Sequence, residues 1–251
     1  MKIISKWLLV ALLFAFGCNQ KTKPLFEVLN EEKTGLHFAN NLKPNAKVNM
    51  LTYMYFYNGA GLATADFNND GKVDVFFCSN QGENKLFLNE GNLYFKDVTA
   101  STKIPQDGGW STGVSVVDIN HDGFLDLYVC RVGNYENLQQ GNQLLICKGI
   151  GADGIPVYAE ESSNYGLAFN GFSTQAAFFD QDLDGDLDMY LLNHSLRYNS
   201  TFNARPTYLN TYDSLSGDRF YRNVNGKYIN ETKEVGINSS IIGYGLGIVV
   251  S

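Results

Sequence analysis

The sequence has no basic patch, and acidic residues outnumber basic ones by 26 to 19, giving a net charge of −7. Nucleic-acid-binding proteins concentrate lysine and arginine on one face, so this composition argues against a nucleic-acid partner. The motifs HExxH and CxxC are absent. Outside three acidic loops, which are described below, the sequence shows no paired catalytic carboxylates. These absences remove the usual signatures of metalloproteases and redox proteins, and we predict that the protein is not an enzyme.

Long amphipathic helices are also missing after the amino terminus. In their place the chain has 25 glycines, 15 tyrosines and 17 phenylalanines among its 251 residues. Aromatic residues favour strands, and glycines favour tight turns. The hydrophobic fraction of 44% is too high for a disordered protein. The composition therefore predicts an all-β protein with many tight turns.

Three acidic loops stand out: loop 1 (66–74), loop 2 (118–126) and loop 3 (180–188). Each has oxygen-bearing side chains at relative positions 1, 3, 5 and 9, and a glycine at position 6 that permits a sharp turn. Calcium takes about six to eight oxygen ligands, including main-chain carbonyls such as that of position 7. The predicted ligands are Asp66, Asn68, Asp70, Lys72 and Asp74 in loop 1, Asp118, Asn120, Asp122, Phe124 and Asp126 in loop 2, and Asp180, Asp182, Asp184, Asp186 and Asp188 in loop 3.

An EF-hand begins with a similar pattern but needs a glutamate at position 12 and flanking helices. Position 12 is Phe77, Val129 and Leu191 here, and the flanks are β-branched, aromatic and alternating. Each loop is therefore predicted to join two strands of a hairpin. The other alternative is a solvated acidic turn, but the pattern recurs three times and its carboxylates would repel one another without a cation. We predict about three bound Ca²⁺ ions.

The loops recur as part of a longer repeat, because their first aspartates are 52 and 62 residues apart. Each repeat contains four predicted strands, and the third also carries an insertion over residues 194–217. The predicted strands are 62–66, 73–79, 84–89 and 93–99, then 112–118, 125–131, 142–148 and 156–160, then 173–180, 187–193, 218–223 and 226–232. A period near this length with four strands per unit predicts the blades of a β-propeller.

Residues 243–251 resemble the strand that precedes loops 2 and 3, so a fourth repeat begins there. Propellers have about four to eight blades. We therefore expect an incomplete propeller of three four-stranded blades plus the start of a fourth, truncated at its carboxyl end. Two further strands are predicted before the first blade, at residues 36–38 and 54–57.

The amino terminus has the composition of an export signal. Lys2 and Lys6 precede an apolar run over residues 7–17, which is followed by Cys18. This pattern predicts a lipoprotein signal peptide over residues 1–17, a diacylated Cys18, a tether over 18–34 and the propeller over 35–251. The protein would then be exported and held on a membrane of the bacterial envelope by its acyl chains. The alternative is an ordinary secretory signal with an incidental cysteine.

The other cysteines are Cys78, Cys130 and Cys147. We interpret them as small buried hydrophobic residues. In an exported protein a pair could instead be oxidised, such as Cys130 with Cys147 across a hairpin.

The loop pattern D-x-[DN]-x-D-G-x-x-D, followed by strands such as residues 125–128, resembles the FG-GAP/VCBS propeller repeats. Residues 55–61 are similar to the start of bacterial lipoproteins whose propeller precedes an ASPIC/UnbV-type domain, a group that includes cartilage acidic protein-like members. Residues 193–195 and 243–247 also fit that group, and the resemblance covers residues 35–251. It implies that the calcium ions are structural and that the blades serve extracellular adhesion or ligand binding.

Three functions remain open from the sequence. The first is a lipid-anchored binding module for glycan or protein ligands, with four aromatic residues of the insertion as candidate contacts: Tyr198, Phe202, Tyr208 and Tyr212. The second is a hydrolase or lyase with a site on the propeller axis, for which His194 is the candidate catalytic residue. The third is a scaffold in envelope assembly.

Overall fold

The computed structural model describes residues 24–196, 205–208 and 211–250. The predicted signal peptide (1–17) and Cys18 lie outside the described residues, as do Tyr198 and Phe202. The chain divides after Asn30, and the architecture below belongs to the second unit, Glu31–Ser251. Within the described part of the chain, no helix has the length and apolar character needed to cross a membrane.

The described chain folds into three antiparallel four-stranded sheets, each built from consecutive strands. Sheet 1 contains β1 (Leu62–Ala65), β2 (Asp74–Phe77), β3 (Lys85–Gly91) and β4 (Tyr94–Asp97). Sheet 2 contains β5 (Trp110–Val117), β6 (Asp126–Val132), β7 (Gln143–Ile150) and β8 (Pro156–Glu160). Sheet 3 contains β9 (Ser173–Phe179), β10 (Asp188–Asn193), β11 (Arg219–Val224) and β12 (Lys227–Asn230). All the predicted repeat strands are confirmed, with ends that differ by a few residues.

Helical structure is sparse in the described residues. There are two single-turn α-helices, Glu31–Thr34 and Ser162–Tyr165. Three short 3₁₀ turns occupy Met54–Tyr57, Thr99–Ser101 and Arg205–Thr207.

Sheet 2 is packed on both faces, and β6 is buried along its whole length. Leu127 and Val129 of β6 pack in one hydrophobic cluster with Phe76 and Leu86 of sheet 1. The alternate residue Tyr128 packs in a second cluster that also contains residues of sheet 3. Successive side chains of a strand point to opposite faces, so a strand in a sheet between two others needs apolar residues at consecutive positions, as β6 has at residues 127–130. Each such side chain contributes about 1.5–3 kcal/mol when fully buried.

The first strands of the three sheets lie next to one another, with β5 in contact with both β1 and β9. A Cβ atom on Gly61 would come within 2.8 Å of the Gly113 Cα, and one on Gly113 would collide with the main-chain oxygen of Thr174. The small residues therefore permit a close approach of β1, β5 and β9. Face-packed sheets whose first strands converge have the architecture of propeller blades. The predicted fold class is confirmed, and the three sheets do not close into a ring.

Residues 243–250 do not form the predicted strand, and Tyr244 makes only an isolated bridge with His194, but their contacts with sheet 3 are those expected for the beginning of a fourth repeat. Where sheet 2 meets sheet 3, the Gly133 N–H donates to the Gly171 carbonyl at 2.8 Å. After β10, the Ser195 N–H donates to the Gly243 carbonyl at 2.7 Å. The Ile248 N–H also donates to the side chain of Gln175 on β9. The same connection thus joins repeat 2 to repeat 3 and repeat 3 to residues 243–250.

Two sequence predictions are wrong. Residues 54–57 form a 3₁₀ turn and residues 36–38 have no regular structure. The reason for the first error is visible in the burial pattern, since Tyr53, Tyr55 and Phe56 all enter one aromatic cluster with Trp110. A strand would have placed neighbouring residues 55 and 56 on opposite faces.

The three cysteines beyond Cys18 are free and buried, which confirms their interpretation as small hydrophobic residues. Oxidation of Cys130 with Cys147 is not found. Cys130 packs in the cluster shared with sheet 3 and Cys147 in the cluster shared with sheet 1. The two thiols lie on opposite faces of sheet 2, so they cannot meet across the hairpin.

Candidate metal-binding loops

Each acidic loop connects the first two strands of its sheet, β1 to β2, β5 to β6 and β9 to β10. The flanking elements are strands, so the predicted hairpins are confirmed and the EF-hand alternative is excluded. The three loops also share one backbone geometry. Position 4 has a left-handed φ of 56° at Asn69, 55° at His121 and 63° at Leu183, and the glycine at position 6 has a φ of 84° to 96°.

The aspartate at position 1 organises the turn. In loop 1 the Asp66 carboxylate accepts the main-chain N–H of Asp70 at 3.0 Å and that of Gly71 at 2.7 Å. Asp118 and Asp180 accept the equivalent pairs at 2.9–3.1 Å and 3.0–3.1 Å. These bonds fold the turn back on its first residue. The carboxylates at positions 1 and 5 are thereby brought to one side of the loop.

The carboxylate at position 5 accepts the N–H of position 7 at 2.9 Å in all three loops. At position 3 the loops differ. Asn68 and Asn120 accept the N–H of position 5 through their side-chain oxygens. Asp182 instead pairs with the guanidinium of Arg222. Loop 1 also contains an internal cation, because the Lys72 ammonium lies 2.7 Å from the Asp70 carboxylate and the resulting hydrogen bond lowers the pKa of Asp70.

Position 9 has a structural role that the sequence did not reveal. Asp74 and Asp126 are fully buried, and Asp188 is almost so. The Asp126 carboxylate accepts the N–H of Ile119 at 3.1 Å and the N–H of Cys147, on the third strand, at 2.7 Å. Asp74 and Asp188 bind the equivalent residues of their own sheets. The aspartate thus ties the loop to the third strand of the blade.

Burial raises the pKa of Asp126 to about 6, and the nearby carboxylates of Asp122 and Asp118 add to the effect. Burial also raises the pKa of Asp74 and of Asp188. Carboxylates held near other carboxylates in a desolvated turn are hard to ionise unless a cation is present. The electrostatics of the position-9 residues therefore favour occupation by a cation.

The donor sets fit calcium. Carboxylate oxygens of Asp180, Asp182 and Asp184 all lie within 4.8 Å of one another. Loops 1 and 2 offer two carboxylates and an amide oxygen at the same three positions. Oxygen-only ligands on a short turn suit a hard divalent cation such as Ca²⁺. The assignment of individual ligands remains a prediction.

A family model described as an FG-GAP-like repeat matches residues 66–129. This chain contains an FG-GAP-like repeat. The matched range runs from loop 1 to β6 and includes loop 2 entire. Loop 3 lies outside it, yet the same backbone bonds fold loop 3, so the repeat geometry extends beyond the matched residues.

Curated relatives support the same assignment. The chain is 29% identical to human cartilage acidic protein 1 over 137 residues, which are 53% of this chain and 20% of the human protein. Its identity to cartilage acidic protein 1 of Xenopus tropicalis is 30% over 139 residues, or 54% of this chain and 21% of that protein. The chain therefore spans about a fifth of the length of the curated relatives it matches. These matches confirm the resemblance drawn from the loops.

The FG-GAP-like blades also border a cavity of about 360 Å³ beside their first strands, lined by Tyr55, Thr112, Thr174 and His194 among others. His194 is buried, with Nε2 3.2 Å from the Tyr53 hydroxyl and Nδ1 3.2 Å from the Thr174 hydroxyl. Burial lowers the pKa of His194 to about 3. The imidazole is thus neutral, and both ring nitrogens are engaged within the chain, so this geometry gives no support to the catalytic role considered for His194.

Of the aromatic candidates in the insertion, Tyr212 is 49% exposed and Tyr208 is half-buried. The Tyr212 hydroxyl accepts a hydrogen bond from the Arg219 guanidinium at 2.8 Å. The Lys233 ammonium lies 4.9 Å from the centre of the Tyr212 ring. Tyr212 is therefore an exposed aromatic ring that two cationic side chains hold in place.

Proposed function

We propose that this chain is a calcium-stabilised part of an exported β-propeller that serves as a binding module for a glycan or protein ligand. The observation that carries the calcium assignment is the threefold recurrence of one loop geometry, together with the clustered carboxylates of loop 3. The FG-GAP-like repeat and the similarity to cartilage acidic protein 1 support the exported location. Lipid anchoring through Cys18 remains part of the proposal.

Within each loop the residues have separate tasks. The aspartate at position 1 folds the turn, and the aspartate at position 9 joins the turn to the third strand. The carboxylates at positions 1 and 5, the side chain at position 3, the aspartate at position 9 and the carbonyl at position 7 would hold the ion. Bound calcium supplies positive charge that offsets the repulsion among these groups. The loops would thereby stabilise the hairpin between the first two strands of each blade.

Thermal unfolding of the chain without its signal peptide, measured in excess calcium and in EDTA, tests the calcium assignment. We expect the melting temperature to fall by many degrees in EDTA and to recover when calcium is restored. Asp184→Ala should reduce this difference because it removes a ligand from loop 3. Equal melting temperatures in calcium and EDTA would contradict the assignment.

Tyr212 is the best-supported contact for a ligand, because an exposed aromatic ring can stack on a sugar or pack against a protein surface. Retention of soluble glycans and surface proteins on the immobilised chain would test this role. Tyr212→Ala should weaken retention, whereas Tyr94→Ala, at a tyrosine of similar exposure on β4, should not. Equal loss in both variants would argue against a site at Tyr212.

A further inference from the structure

Arg222 lies on β11 and makes more charged contacts than any other residue around loop 3. Its Nη1 pairs with the Asp182 carboxylate and lies 3.9 Å from the Asp188 carboxylate. Its Nε donates to Glu231 at 2.8 Å, and its Nη2 donates to the Gln181 side chain at 3.0 Å. The guanidinium therefore joins loop 3 to the outer strands of sheet 3.

The other two sheets have no charged residue at this place. Asn89, Cys147 and Asn223 are equivalent, since each donates its N–H to the position-9 aspartate. The residues that precede them are Leu88, Ile146 and Arg222. Position 3 of the loop changes in parallel, from asparagine in loops 1 and 2 to Asp182 in loop 3. The additional carboxylate and the guanidinium therefore occur in the same sheet and in contact.

We propose that Arg222 sets the calcium affinity of loop 3, as a built-in cation that pairs with Asp182 when no metal is bound. The proposal rests on the calcium assignment made above. All five odd positions of loop 3 carry aspartates, and Arg222, which also pairs with Glu231, offsets part of that negative charge. Metal bound by Asp182 shares a carboxylate with the guanidinium and is repelled by it. Loop 3 therefore binds calcium more weakly than its carboxylate count implies, and the guanidinium helps the loop to hold its shape when calcium is removed.

The size of the effect follows from Coulomb's law. The guanidinium carries one positive charge and the calcium ion carries two. At a separation of a few ångströms, even at the dielectric constant of water, their repulsion lowers the calcium binding constant about tenfold. Loss of the guanidinium charge removes that repulsion and leaves the Asp182 oxygen to the metal. Loss of the guanidinium also leaves the metal-free loop without a positive charge beside Asp182, so the melting temperature in EDTA should fall.

Calcium titration of the chain by calorimetry tests the proposal, with the loop 3 site assigned as the site that is lost in Asp184→Asn. Arg222→Gln should raise the affinity of that site about tenfold and lower the melting temperature in EDTA. Arg222→Lys keeps the charge without the planar fork and should leave the affinity within about twofold. The control is Lys85→Gln, which breaks the 3.0 Å pair with Asp97 between β3 and β4 and should leave calcium affinity unchanged.

The outcomes separate this proposal from the calcium assignment. Absence of calcium binding in the unmodified chain overturns both. Calcium binding with unaltered loop 3 affinity in Arg222→Gln overturns the role of Arg222 alone, as does an equal change in the lysine variant. If Arg222→Gln does not fold, Asp182→Asn supplies the test, because it gives loop 3 the asparagine of its sister loops and releases Arg222. Asp182→Asn should then reduce loop 3 affinity less than Asp184→Asn does, because the carboxylate that it removes is already paired with Arg222. An equal loss in the two variants overturns the role of Arg222.

Discussion

Replacement of Asp126 by alanine separates the structural role of the position-9 aspartate from its predicted role as a metal ligand. Asp126 is fully buried and accepts main-chain hydrogen bonds from Ile119 and Cys147 at 3.1 and 2.7 Å. Alanine leaves both donors without their acceptor, and each unsatisfied buried donor costs about 1–3 kcal/mol. The alanine variant no longer buries a carboxylate, and the free energy gained in this way offsets part of the lost stability. We expect a net destabilisation of about 2–4 kcal/mol, even when calcium is absent.

The assay is thermal unfolding in EDTA, where no metal contributes. About 1 kcal/mol shifts the melting temperature of a chain of this size by roughly 2–4 °C, so Asp126→Ala should lower it by about 5–15 °C. Asp122→Ala is the matched control, because it removes an exposed carboxylate from the same loop. In EDTA the control should lose little stability, since the Asp122 carboxylate accepts hydrogen bonds from exposed donors of its own loop, the Phe124 N–H and the Asn120 side-chain amide. If Asp126→Ala and Asp122→Ala are equally stable in EDTA, position 9 has no structural role independent of metal, and our account of the loop is wrong.

Three further predictions follow from single residues. Because the pKa of His194 is lowered to about 3, the unfolded state takes up a proton below about pH 6.5 that the folded state excludes. Stability should therefore fall from that pH downwards, and His194→Gln should flatten the dependence of the melting temperature on pH. Leu183 is exposed and has a φ of 63°, so Leu183→Asn should stabilise the chain by about 1 kcal/mol, measured by urea unfolding. Gly113→Ala would place its Cβ against the Thr174 carbonyl and should destabilise the chain by about 1–3 kcal/mol in the same assay. An unchanged pH dependence in His194→Gln would contradict the role given to the buried histidine. A loss of stability in Leu183→Asn, or an unchanged stability in Gly113→Ala, would contradict the prediction for that residue.

The strands and loops were predictable because their signals are local. Alternation of apolar residues and the acidic pattern around a glycine both lie within a few adjacent residues, and three copies reinforce one another. The same local reasoning failed at residues 54–57. There the aromatic side chains serve a cluster with Trp110, which lies more than fifty positions away in the chain, and that distant packing determines the local conformation.

The remaining features of the site depend on contacts between distant segments. Arg222 and Asp182 are 40 residues apart, and Asp126 meets Cys147 across 21 residues. No local sequence pattern predicts either pairing. A comparison of the repeats offers one usable signal, since Arg222 and Asp182 are among the positions at which the third repeat departs from the first two.

The most direct test of the central claim is the number of calcium ions that the chain binds. Equilibrium dialysis against micromolar calcium, followed by metal analysis, should give about three ions per chain. Asp184→Asn should reduce that number by one. A chain that retains no more calcium than a variant with asparagine at positions 66, 118 and 180 would contradict the claim that these loops are calcium sites.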